Sequence, residues 1–156
     1  MTATDIESRL AALGLALPQN PPVPAGKYEP FRMHQGTGYL AAQTSGTDDP
    51  ALLGRVGIEL TLADGVRAAE RAALNSLARI QQALGGFERF RGLLHVAGHV
   101  ASAESFLDQP EVLDGASALF LAVLGESGKH SRTAYPHLRL PKNICIELEV
   151  TFAYAE

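Results

Sequence analysis

Apolar residues recur at three- and four-residue steps across residues 62–84, where Val66, Ala69, Ala73, Leu77, Ile80 and Leu84 share one side. That spacing predicts an amphipathic helix with Arg67, Arg71, Asn75 and Arg79 on another face. Thr61 and Asp64 supply an N-cap and a first-turn acid, and Gly85-Gly86 supplies a stop. A second helix is predicted from Asp108-Gln109-Pro110 to Gly125, burying Val112, Ala116, Leu119, Phe120 and Val123. Pro110 suits its first turn, where the missing N–H costs nothing. A shorter amphipathic helix over 5–13 places Ile6, Leu10 and Leu13 at helical spacing, with Gly14 to end it. Pro18, Pro21, Pro22 and Pro24 then form a stiff extended connector.

Elsewhere the period is two. Ile144, Ile146, Leu148, Val150 and Phe152 share one strand face, and Cys145, Glu147, Glu149 and Thr151 the other. This strand and one opened by Arg132 are predicted to be joined at Leu140-Pro141-Lys142-Asn143. Strands are also predicted over 28–33 and 38–43, around a Gln35-Gly36-Thr37-Gly38 turn, over 90–100, and in a short form over 52–58. The order β-β-(β)-α-β-α-β-β implies the α+β class, with two helices on one face of a mixed, mostly antiparallel sheet. Both strand faces read as apolar, so the uncovered one is expected to meet another subunit. Residues 1–25 form the helix and connector, and 26–156 a single α+β domain.

Composition narrows the function classes. With 17 acids against 13 bases the net charge is −4, and there is no Lys/Arg run, which disfavours nucleic acid as a partner. The single cysteine, Cys145, excludes an intrachain disulfide and a multi-cysteine metal site. Its place between two isoleucines reads as packing. No apolar run approaches membrane-spanning length, and no secretory leader pattern opens the chain, so a soluble, cytoplasmic protein is expected.

Several chemical signals fail. Gly125-Glu126-Ser127-Gly128-Lys129 has glycines too close for a phosphate loop and follows a helix rather than a strand. No G-x-S-x-G elbow surrounds any serine. His95 and His99 share a strand face, but four strand residues separate them by roughly 13 Å, too far to share a metal ion. Arg132 and Glu147 remain. Arginine grips carboxylates through two parallel hydrogen bonds, and a glutamate can orient or deprotonate a water. On spacing alone, a salt bridge tying two adjacent strands is the favoured reading of the pair.

The closing block resembles the YjgF-type (Rid) family of enamine/imine deaminases. Arg132-Thr133, Leu140-Pro141 and Ile146-Glu147-Leu148-Glu149 stand at that family's spacing. Gly26-Lys27-Tyr28 and Ala72-Ala73-Leu74-Asn75 are similar to further family features, so the resemblance runs over about residues 26–154. It implies a chorismate-mutase-like fold assembled as a homotrimer, with ligand clefts between subunits and no metal or cofactor. It further implies that Arg132 binds a substrate carboxylate, Glu147 helps position the hydrolytic water, and Tyr28, Ala42 and Gln43 line the cleft. The implied substrates are 2-aminoacrylate-type enamines or their imines, hydrolysed to 2-keto acids and ammonia.

Ala41-Ala42-Gln43 stands where typical members read S-G-Q, so Ala42 adds a methyl where a glycine lets backbone approach the ligand. With its N-terminal helix and longer second helix, the chain is similar to a divergent branch. A trimer that binds or senses a small carboxylate without turnover is the alternative reading. Ribonuclease or translation-inhibitor activity, described for some family members, fits the acidic balance less well.

Overall fold

The computed structural model describes residues 3–156. Helix α1 (Ala3–Ala12) leads through the proline connector to β1 (Phe31–His34), β2 (Thr37–Leu40) and the two-residue β3 (Gln43–Thr44). Helix α2 (Leu62–Leu84), β4 (Phe90–Ala101), α3 (Gln109–Leu124), β5 (Ser131–His137) and β6 (Ile146–Tyr154) complete the chain. Six strands form one sheet in the order β1-β2-β6-β4-β5, with β3 also paired to β6. Only the β4–β5 pairing is parallel. This is the expected α+β class, and from α2 onward the elements follow in the expected order.

Local signals set the helix bounds. Thr61 and Asp64 form a reciprocal capping box at the start of α2, and Gly85 closes it in the left-handed conformation at φ 71. Ile146, Leu148, Val150 and Phe152 of β6 lie in the core with Val96 and Val100 of β4 and the apolar faces of α2 and α3. Ile6 and Leu10 of α1 join the same core. No helix among the described residues is long and apolar enough to cross a membrane.

Three expectations need correction, and the polar face of α2 adds a burial the sequence did not foretell. β5 and β6 are not neighbours, because β4 lies between them and pairs with both. No strand forms over 52–58. A 3-10 turn at Pro50–Leu52 and single bridges at Leu53 and Val56 take its place. The polar face of α2 is solvated only at Arg67 and, partly, Arg71, whereas Asn75 and Arg79 are buried. Asn75 Nδ2 donates to Thr44 O at 2.7 Å, and Arg79 Nη2 reaches Pro22 O, so the end of β3 and the proline connector cover that half of the helix. Finally, the sheet face away from the helices is mixed rather than apolar. It carries Ala97, His99, Thr133, Tyr135, His137, Glu147, Glu149 and Thr151.

The two long helices approach closely at Gly115. A Cβ there would stand 2.5 Å from the Val66 carbonyl oxygen, a backbone atom that cannot step aside. Gly115→Ala gains about 1 kcal/mol of helix propensity. Overpacking costs about 1–3 kcal/mol, so a net loss of up to about 2 kcal/mol is expected in a denaturant titration.

Candidate functional site

Tyr28, Ala42, Gln43 and Glu147 line one cavity of about 320 Å³. The proline connector, the loop after β3 and the Pro141–Asn143 turn form its other walls. Local contacts hold the lining in place. Gln43 is buried, donating through Nε2 to Ala41 O at 2.7 Å and accepting at Oε1 from Arg79 Nε at 3.4 Å. Tyr28 is half exposed, and its hydroxyl accepts from the Ala25 N–H at 3.1 Å. The β3–β6 register sets Thr44 opposite Glu147, which brings the second-strand segment and the closing motif to one place.

Glu147 is half buried on the sheet face away from the helices, opposite His99. Burial holds its carboxyl above the usual glutamate range, and Glu149 adds to the rise. His99 and His137 pull the other way. The histidines form a chain: His99 Nε2 lies 2.7 Å from Glu149 Oε1, and His99 Nδ1 lies 2.8 Å from His137 Nε2. Tyr135 stacks on His99 with ring centroids 5.1 Å apart. With His99 neutral, the carboxylate of Glu149 fixes the proton on Nε2, so His137 Nε2 must donate to Nδ1. Glu149 therefore orients His99 beside Glu147, a role the sequence did not suggest.

The raised Glu147 pKa has a stability consequence. Below the unfolded value both states are protonated and nothing is lost. As pH rises past that value the unfolded chain releases its proton first, and the fold loses stability until Glu147 itself ionises. Glu147→Gln removes this penalty. By calorimetry its melting temperature is expected to exceed the wild type's near about pH 7, with the excess shrinking toward about pH 4.

Arg132 lies elsewhere. It pairs with Val96 across β4–β5, whereas Glu147 pairs with His99, three residues further along β4, so the two side chains leave opposite faces of the sheet. A salt bridge between them within one chain is excluded. Arg132 instead reaches α3, donating through Nη1 to Asp114 Oδ1 at 2.9 Å and Ser117 Oγ at 3.0 Å, and through Nη2 to Pro110 O at 3.1 Å.

Cys145 is fully buried, and desolvation pushes its thiol up to about 12, so it packs and does not react. Arg79 is the residue the sequence reading missed: buried, yet lining the cavity. Desolvation lowers its pKa, while Tyr28 acts in the opposite direction. The signal was available in the prolines. A stiff connector must lie against something, and Arg79, at the far end of the Arg67-Arg71-Asn75-Arg79 stripe of α2, is the polar group it covers. Among the described residues no cluster of three or more His, Cys, Asp or Glu side chains could hold a metal ion.

Residues 7–156 match the family described as "YjgF/chorismate mutase-like, putative endoribonuclease". Protein TCP17 of Trypanosoma cruzi is 31% identical over 146 residues, covering 92% of this chain and 91% of that protein. A crystallised Agrobacterium tumefaciens protein superposes with a TM-score of 0.89 at 35% identity, over 98% of this chain and 94% of its own. A Shewanella oneidensis structure, described as a putative endoribonuclease, has a TM-score of 0.89 at 30% identity, over 95% of this chain and 98% of its own. RidA from an Antarctic Psychrobacter shares the fold, with a TM-score of 0.58 at 22% identity over 87% of this chain and 95% of its own.

Proposed function

The chain belongs to the YjgF/chorismate mutase-like family, and from that premise we propose that it hydrolyses small enamines or imines of the 2-aminoacrylate type. The reading is carried by one observation: Tyr28, Ala42, Gln43 and Glu147, drawn from segments more than a hundred residues apart, line a single cavity. The functional unit is a homotrimer. Glu147 works in the cavity of one subunit, and Arg132 arrives from the next to grip the substrate carboxylate. Their placement on opposite sheet faces supports this division, since one chain cannot bring them together.

The chemistry needs no cofactor. Protonation of the enamine at its terminal carbon gives the iminium, which releases one N–H proton to solvent to become the imine. Glu147 takes a proton from a water as the oxygen adds to the imine carbon, and the C=N electron pair moves to nitrogen, which is protonated. Collapse of the carbinolamine forms the carbonyl and expels ammonia. The imine carbon is already electrophilic, so fixing the carboxylate and one water removes much of the entropic barrier. A partly buried carboxyl is also a stronger base than an exposed one, which suits proton removal from water.

The test is 2-keto acid formation from freshly generated 2-aminoacrylate. Acceleration by the purified protein is expected, and none above the uncatalysed rate would refute turnover. Ligand-dependent thermal shift without product would select a binding or sensing role instead. RNA cleavage is a second reading, favoured by the description of the Shewanella oneidensis relative. RNA degradation by nuclease-free protein, undiminished in Arg132→Ala, would support it.

A further inference from the structure

We propose that Arg79 is a second anion-binding residue of this cavity, and that the ligand carries an anionic group beyond the carboxylate assigned to Arg132. The inference rests on that assignment. At 4% exposure, Arg79 is the one ionic side chain among the buried polar residues described, the others being Gln43, Ser45, Asn75, Ser76, Ser102 and Gln109. A buried charge is costly unless it is paired. Arg55, Arg67, Arg71 and Arg132 each meet a carboxylate. Among the described residues no carboxylate reaches Arg79.

Its partners are all neutral: Gln43 Oε1, Gln82 Oε1 and Pro22 O. These three bonds use three of the five N–H donors of a guanidinium, leaving two for a ligand in the cavity that Arg79 lines. A strap to the proline connector alone would need donors but not a permanent charge. The lining adds a further cation, Lys142, against the single acid Glu147. With Arg132 supplied by the neighbour, cations outnumber anions by two. Two anionic groups on the ligand complement that excess. The ligand class is a small dicarboxylic 2-keto acid and the imine or enamine that precedes it. The cavity of about 320 Å³ is of small-molecule size.

The matched probes are 2-oxoglutarate and 2-oxopentanoate, which differ in a terminal carboxylate against a methyl. Calorimetric titration of the intact wild-type protein is expected to show 2-oxoglutarate binding at least about tenfold tighter, as befits one charge-assisted pair. Arg79→Gln is expected to bring the two affinities within about threefold, chiefly by weakening 2-oxoglutarate. Arg79→Lys, which keeps the charge without the fork, is expected to fall between. Equal wild-type affinities, or a preference that survives Arg79→Gln, would overturn the inference. If 2-oxopentanoate binds in an Arg132-dependent way but 2-oxoglutarate gains nothing, only the role of Arg79 fails. If neither keto acid binds the wild type, the carboxylate-site reading fails and the inference goes with it. Equal wild-type affinities would overturn the inference even if no variant folds.

Discussion

Arg132→Ala is expected to lower the rate of keto-acid formation from 2-aminoacrylate by about a hundredfold or more, the usual consequence of stripping one partner from a desolvated charge pair. The same change is expected to leave the fold nearly as stable. Arg132 is tied to Asp114, whose side chain is 68% exposed, and a bridge to so solvated a carboxylate contributes about 0–1 kcal/mol. On the proposed reading, that weakness would let Arg132 exchange Asp114 for a substrate carboxylate at little cost. Arg132→Lys should retain part of the rate, because an ammonium keeps the charge but cannot offer two parallel donors. A large fall in melting temperature alongside the lost rate would instead make Arg132 a strut between β5 and α3.

Glu147→Gln is expected to cost about a hundredfold in the same assay, within the range for removing a general base. Its pH profile separates a base from a bystander. Proton removal from water requires the carboxylate, so the wild-type rate should rise with pH through the ionisation of Glu147. The midpoint should lie above that of an ordinary glutamate, because burial holds the carboxyl protonated. The glutamine variant should show a low rate without that rise. Coming with a higher melting temperature near neutrality, the lost rate would identify Glu147 as a group kept at some expense to stability.

Elements governed by neighbouring residues were legible in the chain. The capping box at Thr61 and Asp64, the glycine stop at Gly85 and the apolar stripe of α3 are local and appear where the pattern puts them. Pairing between distant segments was not legible. Nothing in residues 131–150 reveals that β4, some forty residues earlier, separates the two closing strands. With β4 between them, Arg132 lies on the helix side of the sheet and Glu147 on the other, so the apparent strand-to-strand pair does not form within one chain. The burial of Arg79 is likewise a long-range effect, hinted at only by the proline run. Helical spacing assigns it to a polar face, but the proline connector, more than fifty residues away in sequence, covers that face. Tyr28, Ala42, Gln43 and Glu147 line one cavity because β3, which carries Gln43, pairs directly with β6, which carries Glu147.

The division of the site between two copies of the chain can be read from a mixing experiment. Arg132→Ala and Glu147→Gln are each expected to be inactive alone. Equal amounts unfolded together and refolded would assemble clefts in which an intact Arg132 from one subunit faces an intact Glu147 from its neighbour. Random assembly of a trimer then restores about a quarter of the wild-type rate, because a cleft needs both contributors intact. Recovery near that fraction is the predicted result. A mixture as inactive as its two components, while mock-refolded wild type keeps its rate, would contradict the claim that Arg132 and Glu147 act across a subunit boundary.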